Sequence, residues 1–434
     1  MSSSSYPLRT SGIYRNLPTF DPEIKGLKAV VCGATGISGF HTLRALLDTP
    51  DRWSTVYAIS RRPLSEALLS FFTPEQRSRI HHIAVDLAKS AEEIATRLHN
   101  VSADYIFYYA YLPPKSGDSA MNPSTAEDLI KSNVPPFKNF LDSLHMAGIR
   151  PKRILLQTGG KNYGVHIGRV RTPLVESDPQ PQHLEPNFYY RQEELLFAYC
   201  SAHEETCWNI VMPAAIIGAT EHPSMNTFVS YSVYAAVKAY KGEMLEYGAG
   251  MESWQFEALH ASARLTGYLS EWAVLEDKCR NERFNAGDGG MLSFDRFYEE
   301  LARWYGVEGV RRPEVDEGKL KVLEMKGGEE APLGYGPPLS IKQSFRFVDW
   351  AKNEKNQKVW KELMEKSDGQ LKKNVFEGSL DEFIMGDFNN LPFGSLSMSK
   401  ARILGFCGIF EMYQDMAKLG LLVPMKVEAA RPLI

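Results

Sequence analysis

The stretch that most constrains this chain is LKAVVCGATGISGFHTLRALLD, residues 27–48. An apolar run, a turn holding Gly33, Gly36 and Gly39, and an amphipathic run follow one another without a break. That order predicts a buried strand, a tight turn and a helix that opens at the turn. Residues without Cβ let a backbone approach a pyrophosphate, and the free N–H groups and dipole of a helix N-terminus favour its charge. Gly33, Thr35, Gly36, Ile37 and Gly39 are therefore candidate dinucleotide contacts. The competing reading is a strand–helix turn with no ligand.

Further strands are expected at 54–60, 80–87, 104–112, 153–160 and 207–218, with helical segments between them, among them 125–146. Alternating strands and helices imply a parallel sheet covered on both faces. Apolar strands such as AVVCG fit burial on both sides. The expected fold class is α/β, a Rossmann-type doubly wound parallel sheet. An embellished, mostly helical C-terminal part rich in aromatics, Trp350, Trp360, Phe376, Phe383, Phe388, Phe393, Phe406 and Phe410 among them, would cover the substrate. The expected organisation is a flexible N-terminal arm over 1–24, a nucleotide-binding domain over 25–220, and a substrate-binding part over 221–434. Within the last, a segment at about 282–288 would return to the sheet.

The end of the second strand usually selects between the nicotinamide cofactors. Here it reads Ser60-Arg61-Arg62, with no acidic residue to hold a ribose 2′-OH. Two guanidinium groups match a 2′-phosphate in charge and in fork geometry, so NADPH/NADP+ is the expected cofactor. A solvated basic pair is the bland alternative. Asp86 and Leu87, at the end of the third strand, fit the adenine pocket. At 434 residues, 44% hydrophobic, with a net charge of −4, the chain shows no basic patch for nucleic acid. Five scattered cysteines give no metal-ligand spacing and suggest reduced thiols. No run has the length of a membrane span or signal peptide, so a cytoplasmic location is expected.

One stretch poses a puzzle. PNFYYRQEELL, residues 186–196, reads as a helix start with Tyr189 and Tyr190. A catalytic Tyr on such a helix often has a Lys four residues later, but Glu193 and Glu194 stand there. The simple reading of the two glutamates is a solvated face near a helix N-terminus.

The residues resemble the short-chain dehydrogenase superfamily of extended type, through GATGISG, Asn133 and MPAAIIG (212–218), where Met212 replaces an Arg. Within it, LQTGGKNY (156–163), NFYYRQEELL (187–196), ISRRP (59–63), FNAGDGGMLSFDRFYEELARWYGV (284–307) and SKARILGF (399–406) resemble the progesterone 5β-reductase/iridoid synthase-like branch. That branch carries its Lys in the loop after the fifth strand. The resemblance thus implies Lys161 and Tyr189 as the catalytic pair, with Tyr190 as packing. Tyr111, Gln157, Ile216, Ser224 and Met225 are the further expected cofactor contacts, and Tyr163, Trp254 and again Met225 are candidate pocket walls.

The branch usually has His after its catalytic Lys and Gly-Pro after the Tyr. This chain has Lys161-Asn162-Tyr163-Gly-Val-His166, so its substrate need be neither a steroid nor an iridoid precursor. The resemblance implies hydride delivery to the β-carbon of an enone or enal, with Tyr189 stabilising the enolate. The expected partner is a small hydrophobic carbonyl compound, and homodimer formation stays open. Two alternatives remain: a carbonyl reductase or alcohol dehydrogenase, in which the Tyr must surrender its proton, and a non-redox nucleotide-binding protein. The pair Lys161 and Tyr189 argues against the latter. Arg61 and Arg62 argue against nucleotide-sugar epimerisation.

Overall fold

A computed structural model describes residues 7–114, 123–221, 225–377, 380–392 and 394–409. Strands β3 (Leu27–Cys32), β4 (Trp53–Ser60), β5 (Ile80–Ala84), β6 (Tyr105–Tyr108), β7 (Arg153–Gln157), β8 (Cys207–Pro213) and a late strand, Glu282–Ala286, form one seven-stranded sheet. Every neighbouring pair in it is parallel. The late strand flanks β8, and the order then runs β7, β6, β3, β4, β5. The chain fills one side of β3 and then returns to fill the other. The switch therefore lies between β3 and β6, where open α/β sheets bind ligands at their strands' carboxyl ends.

Helices cover both faces. On one, α1 (Ile37–Leu46) packs along a helix over Ala263–Leu275. Gly267 of the latter permits close approach, since a Cβ there would meet the Thr42 backbone at 3.1 Å. On the other face, α2 (Ala91–Leu98) and α4 (Phe188–Ala202) flank α3 (Ala126–Met146). The two faces explain why Val30, Val31, Ile106, Phe107, Ile154 and Leu155 are all fully buried. Such strands read as continuous apolar runs.

Beyond β8, a two-residue strand β9 (Ile216–Ile217) pairs with Ala261–Ser262. Helix α5 (Phe228–Lys241) then centres a second layer. Helices α6 (Ala263–Leu275, the partner of α1), α7 (Phe294–Tyr305), α8 (Glu354–Glu365) and α9 (Asp381–Asn389) follow, and the last three pack on α5. Aromatics bond this layer: Tyr231 meets Phe347 edge-on at 5.1 Å, and Phe376 stacks on Phe383 at 5.2 Å. Trp360 and Phe383 are fully buried, whereas Phe393 and Phe410 lie outside the described residues. Short strand pairs, including Lys321–Met325 with Leu339–Gln343, add β-structure to this part.

The first segment departs from the expected flexible arm. Strands β1 (Arg9–Ser11) and β2 (Tyr14–Leu17) form a hairpin docked on α6 and on Asp48, just past the end of α1. Leu17 is fully buried, and Tyr14 packs edge-on against Tyr268 at 5.4 Å. Asp48 gathers Arg9 (2.5 Å), Arg264 (3.3 Å) and the Tyr268 hydroxyl (3.0 Å) beneath it. The composition of the arm gave no period to reveal this, because the contacts that order it lie far along the chain.

Candidate active site

The Gly-rich turn crosses the switch point. Gly33 holds a left-handed φ of 79°, and a Cβ on it would lie 2.9 Å from the Ala110 backbone nitrogen just past β6. A Cβ on Gly39 would stand 2.2 Å from the Gly33 carbonyl oxygen, so only glycine lets α1 sit this tightly on the turn. Helix α1 opens at Gly36 with no side-chain cap, which leaves first-turn N–H groups for a ligand. Thr35 and Ile37 flank that opening. Gln157, at the end of β7, donates to Ser38 at 2.8 Å, while its Oε1 is buried with no partner among the described residues.

Arg61 and Arg62 follow β4, both exposed. Among the described residues neither guanidinium has a hydrogen-bond or ion-pair partner, and Ser60 Oγ ties the turn by donating to the Arg62 carbonyl at 2.6 Å. Asp86 is exposed and accepts from the Ala88 N–H at 3.1 Å, beside half-buried Leu87. This donor set fits a dinucleotide: a glycine cradle, an uncapped helix start, an orphaned amide oxygen and two available cations.

The TGGKN loop and the start of α4 meet beside the cradle. Lys161 lies on a single 3₁₀ turn, Gly160–Tyr163, directly after the end of β7. Asn187 stitches this turn to α4: its Nδ2 donates to the Lys161 carbonyl at 3.0 Å, and its Oδ1 caps the helix by accepting from the Tyr189 N–H at 3.0 Å. The Tyr189 hydroxyl lies over Gly159, 3.4 Å from where a Cβ would stand. Tyr190 is buried, and its hydroxyl donates to the Asn162 carbonyl at 3.3 Å.

Electrostatics divides the pair. Burial pushes the Tyr189 phenol up to about 12, so it is a protonated donor at neutral pH. Burial draws Lys161 down to about 8, and the Glu185 carboxylate opposes that shift.

Glu193 is not on a solvated face. It is 1% exposed, and its carboxylate accepts from Asn162 (2.7 Å), Gln180 (2.9 Å) and Arg283 (2.7 Å). The residue four positions after Tyr189 thus ties the TGGKN loop and the late sheet strand to α4. Glu194 does face solvent, paired with Arg191 at 2.9 Å. Sequence reading missed the Glu193 role because its cation arrives from 90 residues away.

Other expected site residues are dispersed. The buried Tyr111 hydroxyl has no partner among the described residues, and its ring lies 6.1 Å from that of Phe188. Half-buried Ile216 accepts from the Thr227 N–H at 3.0 Å. Met225 holds a φ of 70° and Ala215 one of 48°, two non-glycine left-handed residues flanking this segment. Ser224 lies outside the described residues. Tyr163 is buried, with its hydroxyl donating to Asn285 at 2.6 Å, so it braces the late sheet strand. Trp254 packs on Tyr247 at 4.9 Å within the aromatic layer. Among the described residues no cluster could hold a metal ion, and no helix is long and apolar enough to cross a membrane.

Comparisons with known proteins bear on the fold and the family. An (S)-8-oxocitronellyl enol synthase of Catharanthus roseus is 26% identical over 92% of this chain and 93% of its own length. A 3-oxo-Delta(4,5)-steroid 5-beta-reductase of Arabidopsis thaliana is 27% identical over 70% of this chain and 74% of its own. Among solved structures, a UDP-glucose-4-epimerase from Stenotrophomonas maltophila superposes with a TM-score of 0.51 at 13% identity, over 67% of this chain and 87% of that one, which is a likeness of fold. The family model for the PRISE-like Rossmann-fold domain matches residues 29–326, and with the sheet order and glycine turn in place, this chain belongs to that family.

Proposed function

We propose that the protein is an NADPH-dependent reductase of a C=C bond conjugated to a carbonyl, acting on a small hydrophobic enone or enal. The observation that carries this reading is the protonated Tyr189 phenol, held over the end of β7 beside the glycine cradle, with Lys161 on the same loop. The steroid reductase and enol synthase similarity supports the same class of chemistry.

NADPH supplies the hydride when bound at the turn. Gly33, Gly36 and Gly39 would admit its pyrophosphate, α1 would offer N–H groups, and Arg61 and Arg62 would hold a 2′-phosphate. Tyr189 donates a hydrogen bond to the substrate carbonyl oxygen. That bond strengthens as negative charge develops there, as in an oxyanion hole. A phenol held near 12 stays protonated, which suits stabilisation of an enolate without full proton transfer, and the α-carbon then takes its proton from water. Lys161 adds positive charge on the same side.

The test is to incubate the protein with NADPH and cyclohexenone and identify the product. A saturated ketone is expected. An allylic alcohol would move the reading to carbonyl reduction, and no NADPH consumption with a panel of enones and enals would remove it.

A further inference from the structure

Lys161 shares a cleft with His166, Glu185, Asn187 and Phe188. His166 Nε2 lies 3.6 Å from Glu185 Oε1, and both side chains are largely shielded, at 5% and 18% exposure. The other ring nitrogen, Nδ1, is buried with no hydrogen-bond partner among the described residues. Glu185 stands two residues before Asn187, whose amide joins the Lys161 carbonyl to the Tyr189 N–H. One short segment therefore carries both the carboxylate facing Lys161 and the amide that fixes the start of α4.

We propose that Glu185, braced by His166, is a positioning carboxylate that keeps the Lys161 ammonium charged in the cleft beside the start of α4. The proposal rests on the enone-reductase reading of the same site.

The physical need is plain. An ammonium on a buried loop loses hydration, and a nearby opposite charge restores the charged form. Lys161 is drawn down by burial and drawn up by Glu185. Burial alone would raise the Glu185 carboxyl. The His166 hydrogen bond and the positive charges of Lys161 and Lys326 outweigh that and hold it below its usual range. Burial and Lys161 hold His166 below its usual range despite Glu185, so the imidazole is neutral at pH 7 and serves as a polar brace. The phenols of Tyr189 and Tyr190, from α4, are both pushed up by burial and stay neutral there. Among the described residues Glu185 is thus the carboxylate that acts on Lys161, and Lys326 acts on Glu185 in turn.

The test follows the protonation of Lys161 directly. Lysine side-chain NMR of the full-length protein, with the Lys161 signal assigned by its loss in K161R, should show a midpoint near 8. In E185Q that midpoint should fall by about one unit, and E185D, which keeps the charge, should recover most of the shift. The alkaline limb of kcat/KM for cyclohexenone should move down with it in E185Q, at unchanged NADPH affinity. An unmoved Lys161 midpoint in E185Q overturns the proposal. That readout is independent of turnover, so absence of enone reduction would count against the functional reading and leave this measurement decisive for Glu185.

Discussion

At the scale of single residues, two side chains carry the account and they fail in different ways. Tyr189→Phe removes the hydrogen bond to the developing enolate. It should lower kcat/KM at least about tenfold, in line with the loss of one such donor, while NADPH titration by fluorescence stays unchanged. Equal activity in the variant would remove Tyr189 from the chemistry. Glu193→Ala instead leaves Arg283 and two amides without their acceptor. Breaking a fully buried ion pair costs about 3–5 kcal/mol. Arg283 remains 30% exposed, so the loss should be nearer about 2–3 kcal/mol. Denaturant unfolding measures it, and an unchanged midpoint would mean that Glu193 does not hold the loop. The sequence pointed to Tyr189 by its motif. It could not reveal that Glu193 is buried, because a glutamate near a helix start is ordinarily solvated, and only the fold brings Arg283 to it.

At the scale of elements, the proposed cofactor site rests on the glycine turn and the strand ends. A Cβ at position 39 would overlap the Gly33 carbonyl, so α1 could not close on the turn. Gly39→Ala should therefore weaken NADPH binding at least about tenfold, or about 1.4 kcal/mol, as read by calorimetry. Wild-type affinity in that variant would show that the turn is not the pyrophosphate site. Replacing Arg61 and Arg62 together by Ala should raise KM for NADPH far more than for NADH, and parallel rises would refute the 2′-phosphate assignment. This level was the most legible in the sequence. Strand, turn and helix are encoded within about twenty contiguous residues, and β3, β4, α3 and β7 start and end close to where apolar runs and glycines place them. The cleft beside Lys161 was less so. The pairing of His166 with Glu185 depends on a loop path between β7 and α4 that has no periodicity.

For the molecule as a whole, the N-terminal hairpin and the aromatic layer turn a nucleotide-binding sheet into a closed body. Leu17 is fully buried although it sits in a segment whose composition suggests an arm. Leu17→Ala should cost about 2–4 kcal/mol, the range for truncating a buried leucine. A loss below about 0.5 kcal/mol, typical of a surface site, would restore the picture of a loose arm. The C-terminal layer was legible in kind, from its crowded aromatics, but not in arrangement. Which of Trp350, Trp360 and Phe383 pack together depends on how α8 and α9 dock on α5.

The central claim, hydride transfer to a conjugated carbon beside Tyr189, is tested most directly by the fate of an isotopic label. NADPH deuterated at the transferring position of its nicotinamide is incubated with the protein and cyclohexenone, and the product is examined by NMR and mass spectrometry. The expected product is a saturated ketone with deuterium on the carbon β to the carbonyl, with little product from Tyr189→Phe in the same time. Deuterium on the carbinol carbon of an allylic alcohol would contradict it.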